Sequence, residues 1–245
     1  MPHDLDIDIV LADWPYEPGT ISARIIHAAD GRELLQMRVD LGVLQMEAEG
    51  RPDGAMPSGM TTYLDYLNAC VLHEGPEFVM SPDQCTEVDR ELMQFYHRRI
   101  CLMALREFGR AVTDADHSLA LMAFIEHHAP DPEWTATHQQ YRPLILFHRT
   151  QAAALATLDR LGADAAIEAV NAGLEKLQPL FDDPEVQAIF DEEEMVGQLE
   201  QLRTWLREEF QVDRTLKEQL ADAIAREQYE LAARLRDQIT RRQGR

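Results

Sequence analysis

The side chains best suited to chemistry are a set of acids and histidines in the middle of the chain. They are Glu91, His97, Asp114, Asp116 and His117, with His127 and His128 nearby. If antiparallel helices carry them, His97 comes towards Asp116 and His117. That gives a mixed nitrogen and oxygen set suited to zinc, iron or manganese, as in a metal-dependent enzyme. Two features weigh against it. No Glu-x-x-His pair of the di-iron bundle type occurs, and His97 is followed by Arg98 and Arg99, whose charge opposes a bound cation. The reading is therefore no metal, no cofactor and no catalysis, with His97, Asp116 and His117 as the metal candidates if that reading fails. Arg98, Arg99, Arg142 and Arg149 form a second group, expected to pair with carboxylates on neighbouring helices. The alternative for them is a groove that clamps an acidic peptide terminus. The sequence contains no GxxxxGK[ST] phosphate loop, no GxGxxG, no GxSxG elbow and no HExxH.

Positioning those residues falls to a run of helices. Thr61 to Leu72 reads as helical with Tyr63, Leu64 and Leu67 inward. Ser81-Pro82-Asp83-Gln84 is a helix start, with a Ser cap, proline at the first position and Gln at the capping-box position. That helix is predicted to run through Phe95 and Leu102 to Phe108-Gly109. A second is predicted from Arg110 to His128, ended by Ala129-Pro130-Asp131-Pro132, with a loop around Trp134 and Tyr141 after it. A third runs from Pro143 to Leu161, capped by Gly162, and a fourth from Ala163 to Phe181. After Asp182-Asp183-Pro184 a long acidic helix is predicted from Pro184 to Phe210, with Asp191 to Glu194 on its solvated face.

Before the helices the period is two. The loop Trp14-Pro15-Tyr16-Glu17-Pro18-Gly19 is expected to be ordered by its aromatics. Ile21, Ala23 and Ile25 form an imperfect strand, and Asp30-Gly31 is a hairpin signal. The return strand puts Leu35, Met37, Val39 and Leu41 on one face. After Gly42 the parity changes to Leu44, Met46 and Ala48, which reads as a β-bulge. Arg51-Pro52-Asp53-Gly54 suits a type I turn.

Composition limits the function classes. The chain has 245 residues, 45% hydrophobic and 27% charged, as ordinary globular protein does. The acidic start lacks a basic region with an apolar run behind it, so no signal peptide is expected. No stretch approaches the length of a membrane span. Cys70, Cys85 and Cys101 have no CxxC spacing and fit a reduced, cytoplasmic setting. Net charge is −21; Asp213 to Arg245 carries eight Lys and Arg against six Asp and Glu, a net of +2, leaving −23 elsewhere. A body so acidic is repelled from phosphate, so direct nucleic-acid binding is disfavoured and protein partners are favoured.

The helix pairs invite comparison with tetratricopeptide (TPR) units. Phe108, Ala111-Val112, Ser118-Leu119 and Leu121 resemble the second half of such a unit, and Ala166-Ile167 with Gly173-Leu174 and Pro179 resembles it again. The likeness is degenerate: Arg99 stands where a small residue is wanted, and Ala111 and Ala166 lie 55 residues apart, against about 34 in a regular array. A plain helical bundle is the alternative.

The last stretch reads LKEQLADAIAREQYELAARLRDQITRRQ from Leu216 to Gln243. Leu216, Leu220, Ala223 and Ile224 make one apolar stripe; Leu231, Ala232, Leu235 and Ile239 make a second, across the polar break Arg226-Glu227-Gln228. Two amphipathic helices so tightly joined fold back as an antiparallel hairpin, with Ala232 and Ala233 allowing close approach. The order Tyr229-Glu230-Leu231-Ala232-Ala233, then Leu235-Arg236-Asp237, resembles the UVR motif shared by the excinuclease subunits UvrB and UvrC and by some Clp-type unfoldases and their adaptors. The resemblance maps the motif's core onto Tyr229, Glu230, Ala232, Ala233, Arg236 and Asp237. It implies a hairpin that binds another such hairpin, on a partner or in a homodimer. Leu220, Ile224, Tyr229 and Leu235 would supply buried area, and Arg236 and Asp237 would set register.

The expected fold is mainly α: a small β element over 1–60, a TPR-like helical body over 61–211 and the UVR-type hairpin over 212–245. The expected function is a non-enzymatic interaction or adaptor protein. An accessory role in nucleotide-excision repair beside UvrB or UvrC is the alternative.

Overall fold

An aromatic loop and a three-stranded antiparallel sheet begin the first of two units, Met1–Arg142 and Pro143–Arg245. The computed structural model describes residues 7–182 and 191–243. A short helix α1 (Asp8–Ala12) leads into the Trp14–Gly19 loop. Trp14 Nε1 donates to Ser22 Oγ at 2.6 Å, and the Arg24 guanidinium lies 4.1 Å from the Trp14 ring centre. Strands β1 (Ala23–His27), β2 (Glu33–Val39) and β3 (Gly42–Glu47) pair in that order.

The parity change at Gly42 is a second hairpin turn, not a bulge. Val39 faces Gly42, Met37 faces Leu44 and Leu35 faces Met46, so Asp40-Leu41 is a two-residue loop. Pairing 39 with 42 exchanges odd for even positions, the same parity signal a bulge gives. Arg38 braces this turn: its guanidinium donates to the carbonyls of Trp14 (2.8 Å), Gly42 (3.0 Å), Asp40 (3.3 Å) and Val39.

The helices of this unit are α2 (Tyr63–Glu74), α3 (Pro82–Ala104), α4 (Phe108–His128) and α5 (Pro132–Gln139). α2 starts on a capping box between Thr62 and Asp65, and α3 on the predicted box between Ser81 and Gln84. α3 ends earlier than its pattern suggests. Arg106 takes a left-handed φ of +62°, which turns the chain and makes Phe108 the first residue of α4. The segment expected to be a loop around Trp134 is the short helix α5, whose Asp131 side chain caps the Glu133 N–H at 2.9 Å with Pro132 at the first position. Tyr63 and Leu67 of α2, Val88 of α3, and Leu121 and Ile125 of α4 share one buried cluster.

In the second unit, α6 (Arg142–Leu161) and α7 (Ala163–Leu177) are joined through Gly162, at φ +86°. α7 gives way at Gln178 to a 3₁₀ turn, because Pro179 has no N–H for the next α-helical bond. α8 (Glu192–Phe210), α9 (Leu216–Ala225) and α10 (Tyr229–Gln243) complete the unit. Asp191, expected on a solvated face, caps the Glu194 N–H at 3.1 Å and begins α8; the predicted start at Pro184 lies outside the described residues. Phe147 and Ala154 of α6, Ile167, Val170 and Leu174 of α7, and Leu199 and Leu206 of α8 form the core. α6 and α7 approach closely at Gly173, where an added Cβ would lie 2.7 Å from Thr150 Cβ. Among the described residues no helix is long and apolar enough to cross a membrane.

Candidate functional site

Glu91, Asp114 and His117 of α3 and α4 are turned inward and tie elements together. Glu91 is fully buried; its carboxylate accepts from the Tyr63 and Leu64 N–H groups at 2.7 and 3.1 Å, the first two N–H groups of α2. His117 Nε2 hydrogen-bonds the same carboxylate at 2.9 Å, and its ring stacks on Phe95 at 3.8 Å. Asp114 accepts two bonds from Arg98, at 2.7 and 2.8 Å, in a buried bidentate pair. The same guanidinium donates to the Glu47 and Gly50 carbonyls at 3.1 and 2.8 Å, which fastens the end of β3 to the helices. Arg99, 1% exposed, donates to Ser118 Oγ at 3.1 Å, and burial lowers its guanidinium to about 10 against the pull of Asp114.

His97 is half-buried and held below its usual pKa by that burial, whereas Asp116 stands exposed on α4. Among the described residues no group of three or more His, Cys, Asp or Glu is placed to hold a metal ion. Cys70, Cys85 and Cys101 are free, and burial pushes the Cys101 thiol up to about 12. Arg142 pairs with Glu126, as ion pairing between helices predicts.

The terminal hairpin is built from its cap outward. Thr215, fully buried, closes a capping box: its Oγ1 accepts from the Glu218 N–H at 3.2 Å, and Glu218 Oε2 accepts from the Thr215 N–H at 2.9 Å. Ala223 of α9 packs against Ala232 and Leu235 of α10, with Leu216 and Leu220 partly buried around them. Glu227 takes a left-handed φ of +59° in the turn, and the Gln228 N–H returns to the Ala223 carbonyl at 2.8 Å. Residues 214–243 match the family model described as the UvrB/uvrC motif. No curated protein and no solved structure matches the chain.

Within this UVR hairpin the side chains expected to face a partner fall into two sets. Ala232 and Leu235, both expected among the partner-binding residues, are buried in the hairpin itself, because one 100° step per residue aims 232 and 235 at α9. The same geometry turns Ala233 to solvent, and the close approach is made by Ala223 and Ala232. Leu220 packs partly inward. Ile224 and Tyr229 remain 54% and 68% exposed, and Leu231, expected in the inner stripe, is exposed beside them in sequence. Tyr229 and Leu231 line a hollow at the tip together with Glu227, Gln228, Glu230 and Arg234. Arg236 and Asp237 pair with each other at 3.1 Å on the exposed face of α10.

The root of the UVR hairpin carries polar contacts for which the sequence reading had no expectation. Glu218 Oε1 accepts from Asn171 Nδ2 of α7 at 3.1 Å and from Arg207 of α8. Arg207 also donates to the Asp213 carbonyl, and Arg203 Nη1 reaches Asn171 Oδ1 at 3.2 Å. Thr215 Oγ1 donates to Glu168, which Lys217 Nζ approaches at 3.5 Å. Burial would raise the Glu218 pKa, but the Thr215 N–H, Asn171 and Arg207 together hold it below the usual carboxylate value. The signal for this root was Thr215-Leu216-Lys217-Glu218, a capping-box spacing ahead of an apolar stripe.

Proposed function

We propose that this chain is a non-enzymatic interaction protein that docks a protein partner through the tip of its UVR hairpin. One observation carries the reading: the hairpin closes a core of its own and still leaves Ile224, Tyr229 and Leu231 exposed around its turn. Exposed aromatic and aliphatic side chains grouped at one end of a rigid element are the usual makings of a binding hot spot. The partner class implied by the motif is another UVR hairpin, on a second protein or on a second copy of this chain. The acidic remainder of the chain fits an adaptor that keeps its charge away from nucleic acid.

The test is a pair of surface changes. Tyr229→Ala with Leu231→Ser should leave the circular dichroism and thermal transition unchanged and weaken association with the partner, or self-association, by about tenfold or more. Partner binding that survives both these changes and removal of residues 213–245 would overturn the reading.

A further inference from the structure

The way the hairpin is attached differs from the way the rest of its unit is held. Among the described residues, the apolar cluster of α6, α7 and α8 reaches as far as Val212 of the connector, and the hairpin's own cluster is drawn from α9 and α10. Among the described residues, the contacts that join them include a set of charged and hydrogen-bonded groups around the buried Thr215. Glu168 and Asn171 on α7, and Arg203 and Arg207 on α8, meet Thr215, Lys217 and Glu218 at the start of α9. The Arg207–Glu218 pair is about a quarter exposed on each side, open enough for salt and water to compete for it. An open hollow lined by Asp164, Gln211, Val212, Asp213, Arg214, Leu216 and Gln219 lies beside these contacts.

We propose that these groups form a polar latch, and that the hairpin can leave its seat on α7 and α8 without unfolding. Glu218 makes this possible because its two oxygens do separate jobs. Oε2 closes the capping box that starts α9, while Oε1 faces Asn171 and Arg207. Breaking the contacts of Oε1 leaves the helix start intact. The seated form fixes where the hairpin's tip points; the released form lets it swing on the connector Gln211–Arg214. This holds whatever the tip binds.

Trypsin reads the two states on the full-length chain. Arg214 lies in the connector at the latch, whereas Lys217, Arg226, Arg234 and Arg236 lie within the hairpin, in α9, in the turn and on α10. Glu168→Ala with Asn171→Ala removes body-side latch groups and leaves every hairpin residue unchanged. Cleavage after Arg214 should rise about tenfold, with cleavage after Lys217, Arg226, Arg234 and Arg236 unchanged. Raising the salt to about 1 M, where the Debye length is about 3 Å, should produce the same shift in the unaltered chain relative to those control bonds. Unchanged cleavage at Arg214 would show that these groups do not hold the seat. An equal rise at all five bonds would show that the hairpin unfolds when unseated. Either result overturns the latch.

Discussion

Arg98 shows how much one buried side chain can organise. Its guanidinium satisfies both oxygens of Asp114 and two carbonyls at and just past the end of β3. Arg98→Met would strand a buried carboxylate and two carbonyls, an expected loss of about 3–5 kcal/mol. Chemical denaturation should report it as a lower midpoint at unchanged slope, and an unchanged midpoint would show that the pair holds nothing. Adding Asp114→Leu to Arg98→Met should recover much of the loss, because it removes the stranded charge. The residue types were legible in the sequence here, and the expectation of ion pairs between helices describes Arg98 and Arg142 well. The choice among partners was not legible. Glu91 could have faced any of several cations; besides Arg51 at 3.5 Å it meets the N-terminus of α2, because burial leaves a carboxylate few better donors than two free N–H groups.

At the level of elements, what could be read depended on how local the signal is. The α3 capping box, the α6–α7 break at Gly162 and the terminal hairpin each rest on a few adjacent residues, and the structure has all three. The second β turn and α5 were missed for different reasons. Parity cannot separate a bulge from a two-residue turn, since both exchange odd and even positions. Asp131-Pro132 was read as the end of one helix although the same pair starts another. The α6–α7 contact yields a test. Glycine inside a helix normally costs about 1 kcal/mol relative to alanine, so Gly173→Ala would be stabilising on propensity alone. Here the new Cβ would collide with Thr150, so the variant should instead lose about 1–3 kcal/mol. Gly173→Ala combined with Thr150→Ala should restore most of that loss. A single variant with a raised thermal midpoint would show that the two helices are not in such close contact.

For the molecule as a whole, charge decides more than shape. The chain carries a net of −23 outside Asp213–Arg245 and +2 within it. The protein alone should therefore show no measurable binding to duplex DNA by fluorescence anisotropy at about 150 mM salt. Micromolar binding under those conditions would require a basic surface that the charge balance does not provide. Any part this chain takes in DNA repair would then come through a protein that touches the DNA for it.

The connector between α8 and the Thr215 cap, Gln211–Arg214, is four residues long. Fully extended it reaches only about 14 Å. A hairpin off its seat is thus on a short leash, and the seat meets it at an effective concentration of millimolar order or above. A free competitor at micromolar concentration begins about a thousandfold behind in any contest for Arg207 and Asn171. Ligands that hold the arm out must therefore take hold of the arm itself, at its far end.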